Sequence, residues 1–398
     1  MGGIILVILI LAILMYWKAN QNYQHQDYTN SNFFTIWLSG HMVWTGENPY
    51  DQTQWLAGHD TYGVTYRPNK ISPYPLPMMF FVAPLGLLPL GQAYFLWQIL
   101  SQVIIVISVY LLLAHWKGRT RWLLFLPLII AMLFFGPVFL TLQIGSFGPF
   151  SLLVVMAALL LLERDRSLAA GIFLSLTVLK PPQGLPLLAL AGILFLGRRD
   201  WKAIAGLFLG GAALLEIGLL RDPLWLIEFR GASAVVLDRT LGIQSNALSF
   251  AYLACSGVLN CMWIAGGLVA ILALGLSGYF LWRERNRLND WEALNIILPV
   301  AFFSTVYLWS YDQILYIIPI TWIAGKLVEK TRSYLPVFVF LLVLDVESLI
   351  GLAVQAYTHK DLLSIINTVS ILALCLWLLR DKPAQVMPDH PHRPTISP

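Results

Sequence analysis

The sequence predicts an all-α polytopic membrane protein, and three observations predict this class. Of the 398 residues, 58% are hydrophobic and only 12% are charged, whereas charged residues make up roughly a quarter of a soluble globular domain. Long apolar runs follow one another along the chain. Basic residues are spread over the short segments between these runs, so the net charge of +4 does not indicate a nucleic-acid partner.

The apolar runs predict a bundle of about twelve transmembrane helices, because a bilayer core is crossed by roughly 17 to 25 apolar residues, or fewer where a helix is broken. The runs fall at 3–17, 91–114, 122–139, 149–163, 168–180, 184–196, 203–220, 262–282, 291–308, 313–325, 334–354 and 362–379. The first run lacks a basic start and a cleavage site, which favours an uncleaved anchor. Residues 1–380 are expected to form a single transmembrane domain, and residues 381–398 a disordered tail.

Lysine and arginine collect in alternate connections, and this predicts the orientation of the chain. The basic connections contain Lys117, Arg119 and Arg121; Arg164 and Arg166; Arg198, Arg199 and Lys202; Arg283, Arg285 and Arg287; Lys326, Lys330 and Arg332; and Arg380, Lys382 and Arg393. By the positive-inside rule these connections and the C-terminus are cytoplasmic, in a cell inner or plasma membrane. The polar segment at residues 18–77 is then a long first outer loop on the periplasmic side, where we expect the chemistry.

Two of the runs, 168–180 and 184–196, are short and are separated by Pro181 and Pro182. Proline removes a backbone donor and disfavours helical geometry in the preceding residue. Irregular backbone at membrane depth lines a protein cavity or water, so Lys180 is predicted to point into a wet cavity. Residues 74–90, which are rich in proline, are typical of an interfacial or re-entrant segment.

Acidic and basic residues on the predicted outer side are the candidates for chemistry. The acidic ones are Asp27, Glu47, Asp51, Asp60, Asp238 and Asp312. Asp51 follows Pro49-Tyr50 and is equally typical of a turn or helix cap. Asp312 lies between two apolar runs and is predicted to be buried or to line a pocket. Arg67, Lys70 and Lys180 are candidate phosphate ligands. For Arg221, Arg230 and Lys360, at predicted helix ends, the default is snorkelling to lipid headgroups.

Signatures of nucleotide, dinucleotide, zinc-protease and serine-hydrolase sites are missing from the sequence. The cysteines have no metal-ligand spacing. Cys255 and Cys261 are expected to be packing residues, with a disulfide between them left open, and His390 and His392 are too few for a metal site.

Five motifs, in order along residues 27 to about 320, carry a family resemblance. They are SNFFTIWLSGHMVWTGENPYD, YPLPMMFFVAPLGLLP, GSFGPFSLL, LKPPQGLPLL and WSYDQILYIIP. Together they resemble the motifs of glycosyltransferase family 87, whose members are similar to polyprenyl-phosphate-mannose-dependent mannosyltransferases of the GT-C architecture. The resemblance implies an outer cavity for a lipid-phosphate-linked sugar, an acid in the first outer loop that acts as the base, and no cofactor or obligatory metal. The implied partners are a polyprenyl-phosphate sugar, a glycolipid or glycan acceptor, and membrane lipids.

The chain departs from the family pattern at its first-loop acid. Asn32 stands where the family usually has aspartate, and an amide cannot accept the proton of an acceptor hydroxyl. We predict that Asp27, the nearest upstream carboxylate, is the catalytic base; Asp51 or Asp312, or an altered activity, are the alternatives. The predicted substrate-binding residues are Asn32, Asp51, Arg67, Lys70, Tyr74, Lys180, Gln183, Tyr311 and Asp312.

Two other functions compete with glycosyl transfer. Broken helices and charge at membrane depth also build the substrate sites of transporters and flippases. Such proteins are commonly built from two related halves, and this sequence shows no duplicated half. The asparagine at position 32 is the argument for an inactive scaffold of the cell envelope.

Overall fold

The fold is described by a computed structural model for residues 29, 31–65, 67, 69–116 and 119–380, without the side chain of Arg119. This part of the chain is all-helical and contains no β-strand, as the sequence predicts. The apolar run at 3–17, the predicted base Asp27 and the tail at 381–398 lie outside the described residues.

The α-helices follow one another with short connections. They are α1 Asn32–Thr45, α2 Gln52–Thr61, α3 Leu76–Gly86, α4 Leu90–Leu113, α5 Arg119–Phe134, α6 Gly136–Ile144, α7 Gly148–Leu162, α8 Ser167–Ser175, α9 Pro181–Arg198, α10 Trp201–Arg221, α11 Trp225–Thr240, α12 Ala247–Ala254, α13 Leu259–Arg283, α14 Asp290–Ser304, α15 Ile317–Thr331, α16 Leu335–Thr358 and α17 Ile365–Arg380. Short 3-10 helices cover Leu176–Leu179, Ser310–Tyr316 and Leu362–Ser364.

Fewer helices can span a membrane alone than the sequence predicts. Within the described residues, 5 helices are long and apolar enough, and the pair α5 and α6, bent by 62°, makes a sixth. Each predicted run from residue 91 onward coincides with helical structure, but about twelve spans are not confirmed. The difference arises because many apolar runs form short helices at breaks near proline and glycine, such as α6 and α8 with 9 residues each.

The predicted long outer loop is not confirmed: much of its described part is helical, in α1 and α2. Two side-chain caps begin its helices: Ser31 accepts from Phe34 N at 3.4 Å, and Asp51 accepts from Gln54 N at 2.9 Å. Phe33, Phe34 and Trp37 of α1 are buried in an apolar cluster with residues of α3 and α4. The polar segment is therefore a folded layer that packs on the membrane helices.

Helices α8 and α10 pack backbone against backbone through glycine. A Cβ atom at Gly206 would lie 2.2 Å from the Leu168 carbonyl oxygen, and one at Gly171 would lie 2.1 Å from the Ala203 carbonyl oxygen. Small residues at helix interfaces permit this approach in membrane proteins. This packing fixes the position of α8 and of the 3-10 helix Leu176–Leu179 that connects it to Lys180.

Substitution of Gly206 by alanine is expected to destabilise the protein by about 1–3 kcal/mol, the usual cost of overpacking. The comparison is Gly211→Ala in the same helix, where an added Cβ would meet nothing within 4 Å. Thermal unfolding of the purified variants in detergent measures the difference. Equal melting temperatures for the two variants would show that the close approach does not stabilise the fold.

Cys255 and Cys261 form a disulfide, so the expectation that both are plain packing residues is wrong. The bond closes the connection between α12 and the start of α13, and it lies at the opposite end of α13 from Arg283. Cys375 is a free, buried thiol.

Candidate active site

A cavity of about 360 Å³ lies where α1, the start of α9, and α11 come together. Its wall combines apolar and polar side chains from six parts of the chain. The described lining residues are Thr29, Ser31, Asn32, Phe34, Thr35, Asn69, Pro73, Tyr74, Pro75, Ser146, Phe147, Leu179, Lys180, Pro181, Pro182, Phe229, Arg230, Ser233, Ala234, Val236, Leu237, Val306, Tyr307 and Tyr311. Among these residues Lys180 and Arg230 are cationic and none is acidic, so the cavity is suited to an anion.

Lys180 occupies the predicted break between two short helices. The 3-10 helix Leu176–Leu179 ends before it, and its own backbone is non-helical, at φ −124° and ψ 80°. Pro181 then begins α9, a position where its missing N–H costs nothing. Lys180 is thereby held at the N-terminal end of α9, where the helix dipole also favours negative charge.

The ammonium of Lys180 is paired with Asp312 beneath the cavity wall. Lys180 Nζ donates to Asp312 Oδ1, and Asp312 Oδ2 accepts from the backbone N–H of Trp309 at 3.2 Å. The Asp312 side chain is fully buried, whereas that of Lys180 is 11% exposed. The Tyr311 ring lies beside the ammonium, 5.1 Å from Nζ to the ring centroid. Gln183 is also buried near the Asp312 carboxylate.

A buried polar network holds the residues around Asp312 in place. The backbone N–H of Leu308 donates to Gln244 Oε1 at 3.0 Å, and Thr141 donates to the carbonyl oxygen of Tyr311 at 2.7 Å. The Asp361 carboxylate accepts from the backbone N–H of Ser310, and the Asp361 N–H donates to the Ile243 carbonyl oxygen at 2.6 Å. Segments that are far apart in sequence therefore fix the turn that carries Tyr311 and Asp312.

Asp361 is expected to make the stability of the protein depend on pH. Burial raises the pKa of Asp361 from 3.8 to about 7, so between about pH 4 and pH 7 the folded state binds more protons than the unfolded chain. Stability then falls as pH rises through this window and is lowest above it, by about 4 kcal/mol at most.

The measurement for Asp361 is the melting temperature of wild type and Asp361→Asn from pH 5 to pH 8. Asparagine removes the charge and keeps an acceptor for the Ser310 N–H, so the variant should melt higher than wild type at pH 8 and vary less with pH. Asp238→Asn, at an exposed site on α11, is the control. A wild-type stability that rises toward pH 8 would contradict the prediction.

The structure brings six of the predicted site residues together. Asn32, Tyr74, Lys180 and Tyr311 line the cavity, and Gln183 and Asp312 are buried directly behind Lys180. Tyr74 is held through its backbone, since its carbonyl oxygen accepts from the Tyr50 hydroxyl at 2.7 Å.

Three predicted substrate-binding residues lie away from the cavity wall. Asp51 caps α2, Arg67 is paired with Asp60 at the surface, and Lys70 is exposed. The predicted base, Asp27, lies outside the described residues and precedes the lining residue Thr29 by two positions in the sequence.

Arg230 is a cationic cavity residue that the sequence does not predict as a site residue. It was expected to snorkel to lipid headgroups, but the structure places it in the cavity wall with Ser233 and Leu237. A signal was present: Phe229, Ser233 and Leu237 recur at four-residue intervals and so share one helix face, which lies next to Arg230. The sequence does not show which part of the protein lies opposite that helix face.

Within the described residues no group of three or more His, Cys, Asp or Glu side chains is arranged to hold a metal ion. The cavity wall offers hydroxyl, amide and cationic groups, and cationic groups repel a metal ion. The donor set of this wall fits an anionic substrate better than a bound cation.

Comparison with protein families finds a match over the middle of the chain. The model described as glycosyltransferase family 87 matches residues 73–308. The matched region contains α3 to α14 together with Lys180 and Arg230, and it begins after α1, α2 and Asp27. Neither the curated proteins nor the solved structures compared with the chain contain a match.

Proposed function

The chain belongs to glycosyltransferase family 87, and from this premise we propose that it transfers a hexose, with mannose as the first candidate, from a polyprenyl-phosphate-linked donor to a lipid- or glycan-linked acceptor. The observation that carries the proposal is the positively charged cavity, which has apolar walls and Lys180 at the start of α9. A lipid-linked phosphate needs both a cation for its charge and apolar surface for its chain.

Sugar transfer from such a donor needs a general base for the acceptor hydroxyl and a cation for the leaving phosphate. The acceptor hydroxyl loses its proton to a general base and attacks the anomeric carbon of the donor sugar. The bond from that carbon to the phosphate oxygen breaks, and the phosphate leaves with the electron pair. Lys180 stabilises the negative charge that develops on this leaving group. No nucleotide and no metal is required in this scheme.

Asp27 is the proposed general base, because the two alternatives to it, Asp51 and Asp312, are already engaged. Asp312 is fully buried, and its two oxygens accept from Lys180 and from the Trp309 N–H. Asp51 caps α2 through Oδ1. Asp27 is close in sequence to the lining residues Thr29 and Asn32, which supports a position from which it can reach the acceptor.

The proposed location is a multi-pass inner or plasma membrane protein whose cavity faces the extracytoplasmic side and whose C-terminus is cytoplasmic. Two observations on α13 support this orientation. The Cys255–Cys261 disulfide lies at its N-terminal end, and disulfides persist in oxidising compartments. Arg283 lies at its other end, as the positive-inside rule requires for the cytoplasm.

The function is tested with membranes that contain the protein and a polyprenyl-phosphate donor carrying a labelled sugar. We expect labelled lipid or glycan product, no product when a nucleotide sugar replaces the lipid donor in washed membranes, and an unchanged rate in the presence of a chelator. Failure to form product from mannose- and other hexose-linked donors would overturn the proposed function. Movement of the intact donor across vesicles without sugar transfer would instead identify a flippase.

A further inference from the structure

Helix α11 forms one wall of the cavity and also carries apolar surface that the described residues leave uncovered. The cavity side presents Phe229, Arg230 and Leu237, whereas Ile227 and Val235 are exposed on other sides of the helix. Trp225 anchors its first turn in a small apolar cluster with side chains of α1 and α3. In a membrane protein, exposed apolar side chains on an amphipathic helix are suited to contact with lipid.

Arg230 is the cation of the cavity wall that has no acidic partner among the described residues. It makes no ion pair with any described residue, whereas Lys180 is paired with the buried Asp312. Glu228, two residues before Arg230, interacts with Asp222, and Asp238 on the same helix is exposed and does not line the cavity. The positive charge that the cavity offers to a ligand is therefore carried largely by Arg230.

Ser233 lies one helical turn after Arg230 on the same side of α11, and both residues line the cavity. A guanidinium presents a planar fork of donors that matches a phosphate, and a hydroxyl adds a further donor. Val236 and Leu237 continue the cavity wall along the helix as apolar surface. One helix thus presents phosphate-binding groups next to a surface that suits an isoprenoid chain.

We propose that α11 is the recognition element for the lipid-linked donor: Arg230 and Ser233 bind its phosphate, and Val236 and Leu237 contact the first part of its lipid chain. This inference rests on the proposed function and gives Arg230 and Lys180 different roles. Arg230 sets the affinity for the donor, whereas Lys180 acts on the leaving phosphate during transfer. A change at Arg230 therefore raises the donor KM, and a change at Lys180 lowers kcat.

The test compares Arg230→Ala and Arg230→Lys with a matched control, Arg239→Ala. Arg239 belongs to the same helix, is exposed and does not line the cavity. Binding of a polyprenyl phosphate, of the corresponding uncharged polyprenol and of inorganic phosphate is measured with the purified full-length protein in detergent. Melting temperatures confirm that each variant is folded.

We expect Arg230→Ala to bind the polyprenyl phosphate about tenfold or more weakly, the scale of a lost charge-assisted hydrogen bond, while its affinity for the polyprenol is unchanged. Arg230→Lys should recover part of the affinity, and Arg239→Ala should match wild type. In the transfer assay the donor KM of Arg230→Ala rises by a similar factor, and kcat changes by less than about twofold.

Three results would overturn the inference: wild-type affinity in Arg230→Ala, an equal loss of affinity for polyprenol, or competition by inorganic phosphate at the concentrations at which the lipid binds. The first result would show that Arg230 does not bind the phosphate. The second would show that the substitution displaces the helix, and the third would show that the lipid chain does not contribute to recognition. A wild type that binds polyprenyl phosphate through Arg230 but transfers no sugar would instead refute the proposed function.

Discussion

Sugar transfer by Asp27→Asn is expected to be about 10²- to 10⁴-fold slower than transfer by wild type, the usual contribution of a positioned general base. Asparagine has nearly the same shape as aspartate but cannot accept the acceptor proton, so donor binding should be unchanged. The rate is measured in membranes with labelled polyprenyl-phosphate sugar, and donor binding with the purified protein. The expected signature is a loss in kcat without a loss of donor affinity.

Asp51→Asn is the matched control for Asp27→Asn. Asp51 caps α2 by accepting from the Gln54 N–H, and asparagine is about as good a helix cap as aspartate. This variant should therefore keep wild-type stability and turnover. If Asp51→Asn lost activity while Asp27→Asn kept it, the base would have to be reassigned to Asp51.

The asparagine at position 32 provides a second way to test the base. Asn32 lines the cavity, so an aspartate introduced there can approach the acceptor. We expect Asn32→Asp to restore part of the turnover to the Asp27→Asn variant. Recovery would show that the chemistry needs a carboxylate at this part of the cavity and that Asp27 supplies it in the wild type.

The sequence predicted the helices of the membrane region well because apolar runs and proline report local structure directly. The run from residue 91 became α4, and the break before Pro181 was observed at Lys180. The number of spans was not confirmed, because a run's composition does not show whether its helix is bent or interrupted. The bend between α5 and α6 is an example.

The polar segment, with its acids and prolines, is predicted to be a loop. In the structure, Phe33, Phe34 and Trp37 share one buried face of α1, at the three- and four-residue intervals of a helix. Asp51 has the same sequence context whether it caps a helix or lines a site, so only its hydrogen bond to Gln54 distinguishes the two.

The pairing of Lys180 with Asp312 is a long-range contact, which local sequence patterns do not predict. Lys180 and Asp312 are 132 residues apart in the sequence. Each is predicted separately, because a charged side chain between apolar runs is costly unless it has a partner or a function. Arg230 was passed over since its place at a helix end resembled a lipid-facing residue. The sequence does not show that α11 borders the cavity, which the structure does show.

The second large effect is expected from Lys180→Met, which should remove sugar transfer and also destabilise the protein. The variant leaves the fully buried Asp312 carboxylate without its partner, and breaking a buried pair in this way costs about 3–5 kcal/mol. The exposed Lys70→Met is the control and should change neither property. Melting temperature and labelled-sugar transfer are measured on the same preparations.

The double variant Lys180→Met/Asp312→Asn separates the structural and the chemical contributions of the pair. Removing both charges leaves no unpaired ion, and asparagine retains an acceptor for the Trp309 N–H, so the melting temperature should recover most of its loss. Sugar transfer should stay absent, because no cation at the start of α9 neutralises the leaving phosphate. Recovery of stability without recovery of activity is the result that a chemical role for Lys180 requires. Recovery of both would show that Lys180 serves only to balance the charge of Asp312, and the leaving phosphate would then depend on Arg230 alone.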